Sequence, residues 1–385
     1  MNRHKQKRFG YAVYLTVVIL AAVLFFFAAP QLHWTPPPDY EVGKWLQISP
    51  KEATTSEGNP TTTYLRVGRE NKTIVFFCGG GISYNEYTAA RPYGQMEFPN
   101  GFYSESGSDV LEWLMGYGIL SEQPENPFRD WNIIIIPYST ADFHVGTGDY
   151  SYTTLQGESA VLHHHGYKNY QAIMKEALRY IPETKSLLIC GYSAGGFGAS
   201  LLAEDIIANF YPDAENITLC ADSSLLLLDN WHDIFTDIWK APKSITQNIQ
   251  SENLIVNAYK SLYEKYGNRI KFLYVSSLWD GELCRYQSYA DYGEFSASNE
   301  DANDFAKRLE TMLNQLREAI PELGIYIYDK LPYSFSPDQI QLTQHTILSL
   351  DMVYWPLMDN VSVIDWLYRA VNNHVETYLP PQITE

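Results

Sequence analysis

Cysteine is scarce: there are 4 in 385 residues, and Cys78, Cys190, Cys220 and Cys284 lie far apart. Their spacing matches no zinc motif. Three of them sit in or beside apolar runs and read as buried free thiols; an exported chain can oxidise a pair, and the sequence does not choose one. Positive charge is also in short supply, with 27 Lys and Arg against 45 Asp and Glu, a formal net charge of −18. Such a chain repels phosphate backbones, which argues against nucleic acid as a partner. No Gly-Lys-Ser or Gly-Lys-Thr follows the glycine run at residues 79–81, so a phosphate-binding loop is disfavoured. Internal repeats and low-complexity segments are missing too. With hydrophobic residues at 45%, extensive disorder is not expected.

What is present suffices for one large α/β domain or two small ones. Tyrosine occurs 30 times and tryptophan 9 times. That richness often accompanies carbohydrate-facing clefts, but tyrosines filling sheets and helix faces are the commoner cause. The first thirty residues stand apart. Arg3, Lys5, Lys7 and Arg8 form a basic cluster, and residues 9–29 carry no ionisable side chain except Tyr. A run of about 20 apolar residues spans a bilayer as a helix. The basic flank is expected to stay in the cytoplasm, placing the rest of the chain outside. An uncleaved signal-anchor over residues 1–30 is the reading adopted, with a cleaved signal peptide as its rival. Trp34 is placed as an interfacial anchor, and Pro36, Pro37 and Pro38 open a stalk over residues 31–60. A catalytic domain follows over residues 61–385.

Apolar runs then alternate with helical patterns. The runs at 73–78, 131–137, 187–190, 217–221, 272–275 and 325–328 suit strands buried on both faces of a parallel sheet. Tyr167, Tyr170, Ile173, Met174, Ala177 and Leu178 recur at helical spacing, as do Phe305, Leu309, Met312, Leu313 and Leu316. The alternation predicts a doubly wound, mostly parallel α/β sheet. Residues 61–67 are read as an antiparallel edge strand. The aromatic, amphipathic stretch 225–266 is read as a helical cap inserted over the site; a crossover with one extra surface helix is the alternative.

Gly191-Tyr192-Ser193-Ala194-Gly195 fits the Gly-x-Ser-x-Gly nucleophile elbow, between an apolar strand and a helical pattern, as in α/β-hydrolases. The turn strains the serine backbone, so its neighbours must be small; it also lifts the hydroxyl to a helix N-terminus, where a developing anion is favoured. A serine nucleophile needs a base, and the base needs an orienting acid. Three histidines follow Ser193: His232, His345 and His374. His345 follows the last predicted strand and a loop, where this fold carries its base. Asp280, after the strand at 272–275, is the candidate acid, with Asp222 as main rival and Glu282 as a weaker one. Each carboxylate has an alternative task as a turn or helix cap. Gly79-Gly80-Gly81 follows the first strong strand and is read as the oxyanion element, with Gly80, Gly81, Ile82 and Ala194 as the donor positions. His163-His164-His165 with Asp142, His144 and Asp149 raises a metal site. Contiguous histidines point different ways, so no metal and no cofactor are expected.

Four motifs together resemble the pectin acetylesterase family, which also contains the Notum-type carboxylesterases. Gly79-Gly80-Gly81 is similar to that family's Gly-Gly-Gly-Trp-Cys turn. Residues 137–146 resemble its Tyr-Cys-x-Gly-Asp-x-His-x-Gly segment, His164-His165-Gly166-Tyr167-x-Asn169 its His-x-Gly-x-x-Asn helix entry, and residues 191–198 its Gly-x-Ser-Ala-Gly-Gly-x-Gly elbow. The resemblance implies a Ser193–Asp280–His345 triad, an oxyanion hole at Gly81 and Ala194, and hydrolysis of O-acyl groups, typically acetyl on a polysaccharide. Ile82-Ser83 stands where the family has Trp-Cys, and Ser139 where it has Cys. The resemblance therefore carries neither the disulfides nor pectin itself. The expectation is a membrane-anchored, extracytoplasmic serine esterase acting on an O-acylated glycan. Its rivals are a serine peptidase or acyltransferase with the same triad, and an inactive binding module.

Overall fold

A computed structural model describes residues 39–93, 101–105, 108–331 and 342–383. The expected membrane segment at 9–29, its basic flank, Trp34 and the three prolines lie outside them. Among the described residues no helix is long and apolar enough to cross a membrane.

The strands that matter here are β1 (Trp45–Ile48), β2 (Thr63–Arg66), β3 (Lys72–Phe77), β4 (Asn132–Ile136), β5 (Gly148–Thr153), β6 (Ser159–His164), β7 (Ser186–Tyr192), β8 (Asn216–Asp222), β9 (Ile270–Ser277) and β10 (Gly324–Tyr328). The helices that matter here are α1 (Gly166–Ala177), α2 (Ala194–Asp205), α3 (Leu254–Tyr266), α4 (Gly281–Tyr292), α5 (Asn299–Ala319) and α6 (Val363–Val371). Eight strands form one sheet in the order β1-β2-β4-β3-β7-β8-β9-β10. From β4 to β10 every neighbouring pair is parallel. The six apolar runs named above all lie in this parallel part, and their isoleucines, leucines and valines are buried because helices cover both faces. This is the mostly parallel, helix-flanked sheet of the α/β-hydrolase type.

Three expectations change. The antiparallel strand at 61–67 exists as β2, but it is not the edge: β1 pairs outside it, Trp45 opposite Arg66. The sheet therefore begins inside the segment read as a stalk. Four residues of mixed polarity leave too short a pattern to read. The cap expected over 225–266 divides in two. Its second half is α3, an ordinary crossover helix that buries Leu254, Ile255, Ala258, Tyr259 and Leu262. Its first half turns Trp231 and Trp239 inward onto Phe143, at ring distances of 5.7 and 5.4 Å. Those aromatic side chains thus fill core space rather than roof the site. Lastly, β5 and β6 pair as a separate antiparallel hairpin that was not anticipated, although residues 148–153 alternate in burial as a half-exposed strand should.

The tyrosines behave mostly as core residues with a polar handle. Tyr103, Tyr211, Tyr259 and Tyr326 are buried, and their hydroxyls donate to the carbonyls of Ala89, Ile181, Leu273 and Val361. Tyr259 and Tyr326 tie a helix and a loop segment to the sheet, while Tyr103 and Tyr211 fasten segments outside it, each hydroxyl having a partner.

All four cysteines are free and buried. Burial pushes the Cys78 thiol up to about 12 against a small opposing effect from Tyr192, and burial likewise raises Cys190, Cys220 and Cys284. A thiol that neither ionises nor meets solvent does not react. A disulfide-forming reagent such as Ellman's should therefore titrate no thiol in the native protein and all four once it is unfolded in guanidinium. Fast labelling of the native chain would contradict this burial.

Candidate active site

The sheet order places the site. The chain runs from β3 to β4 on one side and then returns to β7 on the other, so the turns after β3 and β7 lie side by side at a topological switch point. Phe77 pairs with Gly191, which brings Gly79 against the elbow. A Cβ on Gly79 would lie 2.5 Å from the Tyr192 carbonyl oxygen and 2.8 Å from the Ser193 Cβ. A Cβ on Gly195 would lie 2.1 Å from the Phe77 carbonyl oxygen. Only glycine permits this approach.

Ser193 sits at φ 54° and ψ −126°, the strained turn required of an elbow serine. Its N–H donates to the Asp222 carbonyl at 2.8 Å, and its carbonyl accepts from Gly196 N–H and Ser224 Oγ, both at 2.9 Å. These bonds hold the strained residue. Ser193 is partly exposed at the start of α2.

The glycine turn after β3 is held by its carbonyls. His144 Nε2 lies 2.9 Å from the Cys78 carbonyl, Tyr138 Oη donates to the Gly81 carbonyl at 2.9 Å, and Trp239 Nε1 donates to the Ser83 carbonyl at 2.8 Å. Gly81 takes φ +78°, and a Cβ there would fall 2.0 Å from the Phe102 carbonyl oxygen. With the carbonyls turned back, the N–H groups of Gly80, Gly81 and Ala194 meet no acceptor among the described residues. Ile82 does not join them: its N–H donates to Phe102 at 2.7 Å. That bond follows from the bridge between Gly81 and Tyr103, a pairing invisible in the sequence.

The segment that supplies Tyr138 and His144 is organised by a buried carboxylate. Asp142 accepts from Thr140 Oγ1 at 2.7 Å and from the backbone N–H of His144, Gly146 and Gly166 at 3.1, 3.1 and 2.8 Å. Burial pushes its carboxyl up to about 7, against the opposing pull of these donors. Ala141, Phe143 and His144 all take positive φ around it. Asp142 and His144 are therefore a loop scaffold, and neither shares a metal cluster with the histidines at 163 and 165.

His345 Nδ1 lies 2.9 and 2.8 Å from the two Asp280 carboxylate oxygens. Asp280 is fully buried, and its Oδ1 also accepts from the N–H of Glu282 and Leu283 as the N-cap of α4. The cap and the imidazole partner are thus one residue with two tasks. The flanking backbone is fastened on both sides of His345. Thr343 exchanges bonds with Trp279 and Gly281, and the Gln344 carbonyl accepts from Tyr328 Oη at 3.1 Å. Beyond it, Thr346 N–H donates to Ser223 Oγ at 3.1 Å, and Ile347 and Leu348 N–H both donate to Asp222 Oδ2 at 2.8 Å. Asp222 therefore binds Ser193 through its carbonyl and the His345 segment through its side chain. Burial pushes its carboxyl up to about 6, against the Ile347 and Leu348 donors. It fixes the positions of two candidate residues and touches no imidazole nitrogen. Sequence spacing makes it a rival acid; its anchoring task has no sequence signal.

Burial disfavours the His345 cation, but the charge and hydrogen bond of Asp280, with the charges of Glu282 and Asp222, outweigh it and hold the imidazole above its ordinary value. The side chain is 15% exposed, so one edge of the ring faces solvent. His232 and His374 are surface residues away from this arrangement, paired with Asp233 and Glu376.

The structure brings Ser193, the glycine turn, Ala194, Asp280 and His345 to one end of the parallel sheet. A family model described as pectinacetylesterase matches residues 45–325. No curated protein matches the chain significantly.

Two outcomes follow for the carboxylates. Asp280→Asn should lower kcat by about 10⁴, the typical cost of a misoriented base, with a melting temperature near that of the parent chain. Asp222→Asn should keep much more activity and melt earlier, because its amide mismatches the Ser223 hydroxyl donor. The imidazole must be neutral to act as a base, so kcat/KM should rise with pH through an apparent pKa above about 6.5. Losing the Asp280 charge should shift that limb to lower pH in the residual rate. Normal turnover in Asp280→Asn beside a dead Asp222→Asn would reverse the two roles.

Proposed function

The chain belongs to the pectinacetylesterase family, an assignment that implies a carboxylic ester hydrolase of the acetylesterase type, and from that premise we propose that it removes O-acetyl groups from a carbohydrate outside the cytoplasm, using Ser193, His345 and Asp280. The observation that carries the reading is the double tether of Asp222, which ties the strained Ser193 and the segment bearing the Asp280-bound imidazole to one residue.

Ser193 Oγ attacks the acyl carbon while His345 takes its proton. The carbonyl oxygen becomes an oxyanion and meets the N–H groups of Gly80, Gly81 and Ala194, which are oriented before substrate arrives; such preorganised donors each contribute roughly 3–4 kcal/mol to catalysis. Asp280 stabilises the imidazolium and keeps Nδ1 engaged. The tetrahedral species collapses, the C–O bond to the sugar breaks, and the leaving alkoxide takes the proton from His345. Water then attacks the acyl-serine with His345 again as base. Acetate leaves and Ser193 regains its proton. Each half-reaction is redox-neutral and needs no cofactor.

The substrate class rests on the family. Ile82 in place of the family's Trp leaves the polymer open. The apolar run at 9–29 behind its basic flank supports a membrane anchor with the catalytic domain outside.

The purified full-length protein should release acetate from acetylated glycans and leave peptides intact, and a fluorophosphonate probe should label the parent chain and not Ser193→Ala. An unlabelled parent chain would mean a binding module; peptide cleavage without deacetylation would mean a peptidase. Separately, the expressed protein should stay with the membrane fraction after a high-salt wash. A mature N-terminus just beyond Ala29 would instead mark a cleaved signal.

A further inference from the structure

The hairpin of β5 and β6 carries a second cluster of functional side chains. Asp149 on β5 stands directly opposite His163 on β6. Strand alternation sends His164 inward, where it is buried with Nδ1 at 2.8 Å from the Thr140 carbonyl. His163 and His165 consequently emerge together on the other face, with ring centroids 5.2 Å apart. The run of three histidines is therefore not a bar to ligation: two of them converge because the third is turned away.

Both rings address one carboxylate oxygen. Asp149 Oδ1 lies 2.7 Å from His163 Nδ1 and 2.9 Å from His165 Nε2. The three ligand atoms all lie within 4.8 Å of one another. An ion with bonds of about 2.0–2.1 Å needs tetrahedral ligands about 3.3 Å apart, so small side-chain rotations admit one. The side chains of Asp149, His163 and His165 are 58%, 26% and 18% exposed, which leaves an ion access from solvent and room for water at the fourth position. The far nitrogen of His165 is also engaged: its Nδ1 lies 3.2 Å from Thr54 Oγ1. Metal-bound imidazoles are usually fixed in this way, through a hydrogen bond to the nitrogen that does not ligate. The turn carrying Thr54 is itself fastened to α1, with Thr54 and Asn169 exchanging two bonds of 2.9 and 2.7 Å.

We propose that Asp149, His163 and His165 form a binding site for a divalent transition-metal ion of the zinc type, separate from the esterase chemistry. Two imidazoles and one carboxylate match zinc's preference for nitrogen and oxygen donors in a four-coordinate shell completed by water. The ion replaces the protons that otherwise bridge the rings to the carboxylate. Its task is to clip β5 to β6 and to the start of α1. The hairpin borders the Asp142 scaffold, since Gly146 and Gly166, which both donate to Asp142, flank its two ends.

The test uses the full-length chain, free of any histidine tag, stripped with chelator and dialysed against micromolar Zn²⁺. The parent chain should retain one more equivalent of zinc than the His163→Ala/His165→Ala variant, and its melting temperature should rise with zinc while that of the variant does not. Asp149→Ala should weaken binding by at least about tenfold, and Thr54→Val by about tenfold or more, the usual cost of losing an outer partner. His374→Ala, on an exposed histidine elsewhere, should bind as the parent does. Co²⁺ in place of zinc should give the intense visible bands of a four-coordinate site. Esterase activity should survive both chelation and these substitutions, so failure of the metal site is distinguishable from failure of the esterase reading. Equal zinc retention by the parent and the double-histidine variant, or a melting temperature indifferent to zinc, would overturn the proposal. Activity lost with the metal and restored by it would overturn the separation from catalysis.

Discussion

The site depends on a close approach between two backbone turns. The chain leaving β3 and the chain leaving β7 pass so near that no Cβ fits at Gly79, Gly191 or Gly195. Parallel strands with adjacent C-terminal ends create this meeting point, and glycine is the residue that tolerates it. The elbow at Ser193 and the glycine turn are thus two sides of one contact. Strain at Ser193 persists because the surroundings over-determine it: Asp222 holds its N–H, and Gly196 and Ser224 hold its carbonyl.

Three buried carboxylates then divide the work around that contact. Asp142 gathers donors from its own loop and from the first residue of α1, and so presents Tyr138 and His144 to the glycine turn. Asp222 gathers the backbone beyond His345. Asp280 caps α4 and grips the imidazole. A buried carboxylate is costly unless it is well supplied with donors. Here most of the donors are backbone N–H groups: Asp142 and Asp222 collect them mainly from loop segments, and Asp280 from the first turn of α4. Tyrosine hydroxyls serve the complementary need for donors: Tyr138 and Tyr328 bind loop carbonyls at Gly81 and Gln344.

Hydrogen-bond direction also separates groups that sequence adjacency makes look alike. Gly80, Gly81 and Ile82 are consecutive, yet the bridge to Tyr103 engages the third N–H and leaves the first two. His163, His164 and His165 are consecutive, yet strand alternation buries the middle ring and pairs the outer two over Asp149. For the histidines a period of two, imposed by strand pairing, decides which ring faces the solvent and which the protein; for the glycine turn a single bridge to a distant segment decides it.

By itself the sequence determined the parallel core and the elbow turn, and it singled out His345 among the three histidines after Ser193, the one the structure pairs with Asp280. Long runs of Ile, Leu and Val between helical patterns have few alternatives to a doubly covered sheet, and a small-x-Ser-small turn between strand and helix has one well-defined shape. These signals are local, carried by the residue types that the backbone conformation demands. Only the tertiary structure decided the rest. It separated Asp280 from Asp222, since both follow strands and only their partners differ. It brought β1 into the sheet from the segment read as stalk, divided the expected cap into a crossover helix and an aromatic wedge, and removed Ile82 from the donors. Each of these turns on a contact between residues far apart in the chain, and such contacts leave no periodicity behind. A side chain's type limits what it can bind; which partner it meets is fixed by the sheet order that brings the strand ends together.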